Sequence, residues 1–159
     1  GCIAVAIAAN TGAFVTASDR SPAALALTRE NAALNGVSDR VRTVESDLFE
    51  KLSGKFDLIV SNPPYIPEKD IAELDREVRD HEPRIALCGG EDGLDFYRVI
   101  AKEAPGFLAK RGKLVLETGI GQSAAVCRML AAAGFENIEI HRDLSGVERV
   151  VEGMLSEDR

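Results

Sequence analysis

Short apolar segments alternate with helical segments along this whole chain, and no other feature limits its possible folds as much. Strands that alternate with helices form a parallel sheet covered by helices. The last two strands have no helix between them and must therefore pair antiparallel. The sequence predicts one α/β domain whose sheet is mostly parallel, with helices on both faces. The predicted strands are 14–18, 41–45, 56–60, 114–117, 137–142 and 148–154, and the predicted helices are 2–9, 21–35, 93–109 and 122–133.

The helix that starts after the first strand has clear end signals. Ser21 is a favourable N-cap residue, and Pro22 suits the first helical turn. Asn35-Gly36 is a common helix stop. The helix is expected to carry one apolar face. The residues assigned to that face are Ala24, Leu27 and Leu34.

Two later segments carry weaker patterns. Residues 56–60 form an apolar run short enough to be a strand buried on both faces of the sheet. Residues 67–81 are charged and interrupted, which predicts a long loop with one helical turn. Pro105 is expected to end or bend the helix that contains it.

Composition excludes several kinds of protein. The chain has 19 basic and 26 acidic residues and a net charge of −7, which disfavours extended, non-specific binding of nucleic acid. The three cysteines are widely spaced and the two histidines lie far apart, so we predict neither a disulfide framework nor a metal site. The apolar opening of residues 1–9 is far shorter than the ~20 residues of a membrane span. We expect a cytoplasmic protein without a membrane partner.

Polar residues follow the strands at the sheet edge where such folds bind ligands. Asp19 lies 18 positions after Gly1, close to the ~20-residue spacing at which a carboxylate meets ribose hydroxyls. Asp47 follows the next strand and would contact an adenine or only cap the following turn. Glu117 ends a later strand as a proton acceptor, an orienting group or a structural carboxylate. A cofactor that carries ribose and adenine is therefore expected.

The strongest signal is Asn62-Pro63-Pro64-Tyr65, directly after an apolar strand. Two prolines stiffen the loop and restrict the residues before them. The Pro63 carbonyl and the Asn62 side-chain carbonyl are then two acceptors for the hydrogens of one –NH₂ group. Holding both hydrogens turns the developing nitrogen lone pair toward an electrophile, so the loop would act by orientation. Tyr65 offers a face for stacking a planar group.

This loop is the pattern of S-adenosylmethionine-dependent methyltransferases that act on planar amines. With its flanking motifs, essentially the whole chain resembles the HemK/PrmC glutamine methyltransferases, which modify the glutamine of the Gly-Gly-Gln motif in peptide-chain release factors. The flanking motifs are Ile66-Pro67-Glu68, His81-Glu82-Pro83, Ala86-Leu87, Gly93-Leu94-Asp95-Phe96-Tyr97-Arg98, Val115-Leu116-Glu117-Thr118-Gly119 and Glu148-Arg149-Val150.

The resemblance implies a Rossmann-like class I methyltransferase sheet with one antiparallel strand and S-adenosyl-L-methionine as the cofactor. It makes Gly1 the last glycine of the cofactor loop and places Asp19 on the ribose. Asp47 and Leu48 would lie near the adenine. Because the first strand, most of the glycine loop and an N-terminal helical domain would then precede Gly1, residues 1–159 are expected to be a catalytic domain truncated at its N-terminus.

The resemblance also assigns the substrate site. Asn62 and the Pro63 carbonyl would hold the glutamine amide, and Pro64 and Tyr65 would shape its slot. Asn62 is counted with the cofactor-binding residues as well, and Asn62, Pro63 and Tyr65 are expected to be catalytic. Release factors are the expected partners, without stable binding of nucleic acid.

Three alternatives remain open at this stage. An adenine amino group in DNA or RNA presents the same –NH₂ geometry once its base is flipped out. A glutamine enzyme acting on a ribosomal protein shares much of the pattern. A catalytically inactive module that only binds a partner is the third alternative, although the intact Asp19 and Asn-Pro-Pro-Tyr sequence argue against it.

Overall fold

The computed structural model describes residues 1–157, except for the side chains of residues 78–80. The chain divides into two compact units, Gly1–Ser53 and a second unit that begins at Gly54. Each unit has its own sheet.

The first unit contains two helices and a two-stranded parallel sheet. Val15 lies opposite Val41 and Asp19 opposite Glu45, so both strands end at the same edge. The unit's core is a small cluster of Val5, Ala8, Ala32 and Val37 packed against the valines that begin the two strands. The elements are α1 Cys2–Asn10, β1 Val15–Asp19, α2 Pro22–Leu34 and β2 Val41–Glu45.

The ends of α2 confirm the prediction, but its buried face does not. Ser21 Oγ accepts a hydrogen bond from the Ala24 N–H at 3.2 Å, and Gly36 follows the helix with φ 68°. Leu27 and Leu34 are exposed, Leu34 by 84%. The residues buried instead are Leu25, Thr28 and Ala32. The assigned face was wrong because a threonine stands in the buried row, with its hydroxyl satisfied by the Ala24 carbonyl at 2.8 Å.

The second unit contains a four-stranded sheet in the order β3-β4-β6-β5. β3 and β4 are parallel, whereas β6 runs antiparallel to both of its neighbours. This confirms a single antiparallel strand and the antiparallel pairing of the last two strands. The elements are β3 Phe56–Ser61, a 3₁₀ helix Glu68–Glu73, α3 Arg76–His81, α4 Arg84–Leu87, α5 Asp95–Phe107, β4 Leu108–Glu117, α6 Ser123–Ala132, β5 Phe135–Arg142 and β6 Glu148–Leu155.

β3 is less buried than predicted. Asp57 is exposed, and 44% of Leu58 is accessible. The strand is the terminal member of its sheet and pairs only with β4, so its side chains have neighbours on one side. The prediction of a strand buried on both faces was wrong for this reason.

Two other segments are more regular than predicted. The 67–81 segment forms the 3₁₀ helix and α3 rather than a loop with one turn. Pro105 lies inside α5, and β4 begins directly after that helix, six residues before the predicted start at 114. The start of β4 is polar, so the apolar pattern marks only the end of the strand. The backbone is also irregular there, since Arg111 has a φ of 59° and the pairing with β3 shifts register.

Two general features complete the fold. Cys2, Cys88 and Cys127 are free thiols. Within residues 1–157, no helix has the length and apolar character needed to cross a membrane.

Candidate functional site

In the first unit, the ends of β1 and β2 bring two of the predicted carboxylates to one edge. The Asp19 backbone carbonyl accepts the Ser46 N–H at 3.1 Å, which joins the two strand ends. One Asp19 carboxylate oxygen accepts the Ser21 N–H at 2.8 Å. An ionised carboxylate has about four lone-pair sites, so it can also accept ligand hydroxyls. Asp47 pairs with Arg20 at 3.4 Å in a partly exposed ion pair.

Leu48 has an unusual backbone in the same turn. Its φ of 45° lies in the left-handed region, which costs a residue with a Cβ roughly 1–2 kcal/mol. Buried Ser46 holds this conformation, because its hydroxyl donates to the Leu48 carbonyl at 3.0 Å and accepts the Lys51 N–H at 3.0 Å. Residues held in such conformations occur often at ligand sites.

Gly1 lies at the N-cap of α1, where it contacts α2 closely. A Cβ added at this position would overlap the side chain of Thr28, which is almost fully buried. Packing alone therefore requires glycine here. The sequence did not reveal this reason, and the role of Gly1 in binding a cofactor remains a prediction.

In the second unit, the Asn-Pro-Pro-Tyr loop follows β3 directly. Asn62 is exposed at the end of the strand, and Pro63 beside it is buried. Pro64 and Tyr65 are half-buried. The loop thus presents one accessible amide side chain on an anchored, proline-stiffened backbone.

The side chain of Gln122 connects this loop to two other segments. Its Nε2 donates to the Tyr65 carbonyl at 2.9 Å and, over a longer distance of 3.4 Å, to the Gly93 carbonyl. Its Oε1 accepts the Gly119 N–H at 3.0 Å. Gln122 could not be predicted from the sequence, since only the folded chain brings these backbone groups together.

Three glycines surround the loop where a side chain would not fit. A Cβ at Gly89 would lie 2.8 Å from the Pro64 carbonyl oxygen, and one at Gly119 would lie 3.0 Å from the Tyr65 ring. A Cβ at Gly93 would overlap the Tyr65 carbonyl oxygen. The chain beyond Tyr65 is also paired, because the Ile66 N–H donates to the Leu87 carbonyl and the Gly89 N–H donates to the Ile66 carbonyl.

Charged side chains fix the turn that carries Gly93. Arg98 bonds the carboxylates of Asp92 and Asp95, and the Leu94 N–H donates to Asp92 at 3.1 Å. The hydrogen bond from Arg98 is the main cause that holds the pKa of Asp92 below its usual value. These groups line an open cavity of about 640 Å³ that also reaches Pro67.

Tyr97 joins α5 to the carboxyl end of β4. Its side chain is fully buried, and its hydroxyl donates to the Glu117 backbone carbonyl at 2.8 Å. Burial raises the pKa of the Tyr97 phenol above its usual value. The Glu117 side chain is half-buried.

The structure thus groups the predicted residues within each unit. Asp19, Asp47 and Leu48 share one edge of the first unit, whereas Gly1 packs against α2. The four residues of the Asn-Pro-Pro-Tyr loop follow β3 in the second unit. No cluster of three or more histidine, cysteine or acidic residues that suits a metal ion occurs in the part of the chain that the structure describes.

Comparison with known proteins gives a consistent picture. Residues 1–77 match the family model described as the methyltransferase small domain. The chain is 48% identical over 157 residues to the release factor glutamine methyltransferase of Geobacter sulfurreducens, covering 98% of this chain and 55% of that protein. The chain thus spans about half the length of the curated relatives it matches.

Solved structures establish the fold. A methyltransferase from Pyrococcus furiosus superposes with a TM-score of 0.68 at 17% identity, covering 95% of this chain and 68% of that one. A release-factor-specific protein-(glutamine-N5) methyltransferase from Alicyclobacillus acidocaldarius gives a TM-score of 0.52 at 23% identity, covering 97% and 90%. The fold is the Rossmann-like class I methyltransferase fold, as predicted.

Proposed function

We propose that residues 1–159 are the catalytic domain of a release factor glutamine methyltransferase, because the chain is 46–48% identical over nearly its whole length to two enzymes of that name. The reaction transfers a methyl group from S-adenosyl-L-methionine to the side-chain amide nitrogen of a glutamine. The substrate is the Gly-Gly-Gln motif of a peptide-chain release factor. The observation that carries the proposal is the Asn-Pro-Pro-Tyr loop, anchored at the end of a parallel strand with Asn62 accessible.

The first unit offers groups that suit the cofactor. A carboxylate at Asp19 matches ribose hydroxyls, and Asp47 with Leu48 matches an adenine that needs an acceptor and an apolar contact. The left-handed backbone of Leu48, held by buried Ser46, supports a ligand role for this turn. S-adenosyl-L-methionine supplies an electrophilic methyl group on a sulfonium sulfur.

The second unit supplies the groups for orientation. The Asn62 side-chain oxygen and the Pro63 carbonyl accept the two amide hydrogens of the substrate glutamine. Tyr65 and Pro64 shape the slot around the planar amide. With the cofactor bound, an N–C bond would form to the oriented amide as the S–C bond broke, and the methylated nitrogen would lose its extra proton to solvent. No base is required before attack, because the nitrogen becomes acidic only once it carries the methyl group.

The negative charge and the relatives favour a protein substrate. A chain of net charge −7 is poorly suited to stable binding of nucleic acid. Two curated relatives at 46–48% identity are named release factor glutamine methyltransferases, so adenine in DNA or RNA and a ribosomal protein are less favoured substrates. The free cysteines suit a reducing cytoplasm, and we propose no membrane partner.

The test compares substrates with the full-length protein and methyl-tritiated S-adenosyl-L-methionine. Purified release factor, ribosomal protein, tRNA and DNA are assayed side by side. Label is expected in the glutamine of the release factor's Gly-Gly-Gln motif. Label in DNA or RNA would show that the glutamine assignment is wrong, and binding of a partner without any labelling would favour an inactive module.

Asn62→Ala is expected to lower the rate of transfer about 100-fold or more, since it removes one of two orienting acceptors. The dissociation constant of S-adenosyl-L-methionine, measured by calorimetry, should stay within about threefold. Asn35→Ala, which removes an exposed amide just after α2 where the backbone φ is −95°, is the matched control and should leave the rate unchanged. An active Asn62→Ala enzyme would contradict the role given to the loop.

A further inference from the structure

We propose that Gln122 is a positioning residue. Its carboxamide links the Tyr65 carbonyl to the Gly119 N–H and thereby fixes the orientation of the Asn-Pro-Pro-Tyr loop for methyl transfer. This inference rests on the proposed function and adds a residue to its site. Gln122 is the only glutamine in the chain.

The side chain uses both ends of its amide. Nε2 donates to the carbonyl of Tyr65 at 2.9 Å, and Oε1 accepts from the N–H of Gly119 at 3.0 Å. The weaker contact at 3.4 Å reaches the Gly93 carbonyl. Three separate segments therefore meet at one side chain: the loop after β3, the turn before α5 and the loop after β4. A carboxamide is the group that supplies two donors and an acceptor together.

The prolines explain why this one attachment matters. Pro63 and Pro64 each have φ fixed near −65°, so the loop between Ser61 and Tyr65 behaves as a stiff unit. The orientation of such a unit depends on what holds its two ends. Ser61 holds one end through its pairing with β4, and Gln122 holds the other through the Tyr65 carbonyl.

The surroundings of the amide leave it little freedom. A Cβ at Gly93 would lie 2.7 Å from Gln122 Nε2, and one at Gly119 would lie 2.7 Å from Oε1. The absence of side chains at these two positions lets the backbone groups approach the carboxamide.

Capping of α6 does not account for the side chain. Gln122 occupies the N-cap position of α6 but makes no side-chain capping hydrogen bond. Its polar atoms point instead to the loop partners already named. The side chain therefore serves the Asn-Pro-Pro-Tyr loop rather than the helix that it precedes.

Gln122→Glu tests the proposal with almost no change in shape. The ionised carboxylate keeps the acceptor for Gly119 but loses both donors and faces two carbonyl oxygens. In the full-length enzyme at pH 8 we expect kcat to fall about 30-fold, with the dissociation constant of S-adenosyl-L-methionine within about twofold. The two carbonyl oxygens and the partial burial should raise the pKa of this carboxyl above its usual value, so a growing fraction donates again as the pH falls toward 6 and the ratio of variant to native kcat should rise. Asn137→Asp makes the same chemical change at an exposed site and should show neither effect.

Two results would overturn the proposal. One is a kcat within threefold of native across the pH range, and the other is a loss of kcat that does not depend on pH and accompanies a lower Tm. Either result would limit Gln122 to packing.

Hydrogen exchange separates this inference from the function on which it rests. The amides of Ile66 and Gly89, which donate to Leu87 and Ile66 just beyond Tyr65, should exchange at least tenfold faster in Gln122→Glu than in native protein or in Asn137→Asp. If the native enzyme does not label a release factor but these amides still exchange faster in Gln122→Glu, the proposed function is wrong and Gln122 nevertheless positions the loop. Unchanged exchange would overturn the role of Gln122, whatever the substrate.

Discussion

At Leu48, a residue with a large side chain occupies a conformation that glycine adopts more readily. Its φ is 45°, and buried Ser46 bonds both sides of the turn. Glycine would relieve roughly 1–2 kcal/mol of backbone strain but would lose the partial burial of the leucine side chain, worth about the same. Stability alone therefore does not favour leucine over glycine here, and the proposed contact with the cofactor is what would favour it.

Leu48→Gly should therefore change the free energy of unfolding by less than about 1 kcal/mol, because the two effects oppose each other. The affinity for S-adenosyl-L-methionine should fall about tenfold, since an apolar contact worth about 1.4 kcal/mol is removed. Urea denaturation and calorimetric titration of the full-length protein measure the two quantities.

Leu52→Gly is the matched control for Leu48→Gly. Leu52 is also half-buried, but its backbone is not left-handed, so the substitution relieves no strain. It should lower stability by about 1–2 kcal/mol and leave cofactor affinity nearly unchanged. Equal effects of both variants on affinity would contradict a specific contact at Leu48.

Individual site residues differ in how far the sequence predicts them. The position of the Asn-Pro-Pro-Tyr loop at the end of β3 was predictable because its four consecutive letters follow an apolar run directly. Gln122 was not, because its partners Tyr65 and Gly119 become neighbours only in the folded chain. The contact between Gly1 and Thr28 was missed for the same reason.

At the scale of elements, Tyr97 joins α5 to the carboxyl end of β4, because the hydroxyl of its fully buried side chain donates to the Glu117 backbone carbonyl. Burial favours the neutral phenol, so the folded-state pKa of Tyr97 lies above the unfolded value near 10. The buried phenol therefore makes its full contribution to the free energy of unfolding below the unfolded-state pKa. That contribution is lost as the pH rises from the unfolded-state pKa toward the folded-state pKa. The tie between these elements should therefore weaken in alkali.

Tyr97→Phe should lower the free energy of unfolding by about 1–2 kcal/mol at pH 7, because it leaves the Glu117 carbonyl without its donor. The difference between native protein and variant should shrink as the pH rises above 10, since only the native protein has this phenol to ionise. Urea denaturation at a series of pH values measures the difference. A difference that stays constant from pH 7 to above pH 11 would contradict the linkage.

The elements themselves were largely predictable, since all six strands and the four longer helices were foreseen. The buried face of α2 was not, because Thr28 stands in a row that hydrophobicity alone would not select. The exposure of β3 was not, because an apolar run does not show whether a strand has one neighbour or two. The number of neighbouring strands depends on strand pairing, which joins segments that are distant in the sequence.

For the whole molecule, the chain spans about half the length of its curated relatives, so the proposed substrate has to be tested on the full-length protein. The chain's net charge of −7 gives the molecule a negative field that favours a basic partner over a polyphosphate. The assay with full-length protein is therefore the decisive one for substrate, whereas the fold is testable on the chain itself.

The two compact units differ in what they can stabilise alone. The second has a four-stranded sheet and fully buried side chains that include Tyr97, Leu114, Leu116 and Leu130, whereas the first has two strands and a small cluster. Sheets with three or more strands and an apolar face can be stable, but a pair of strands in ~50 residues is marginal. Residues 54–159 expressed alone should therefore give dispersed amide resonances and a cooperative thermal transition, and residues 1–53 should give neither. If residues 54–159 fail to fold, the two units acquire their structure only as one cooperative domain.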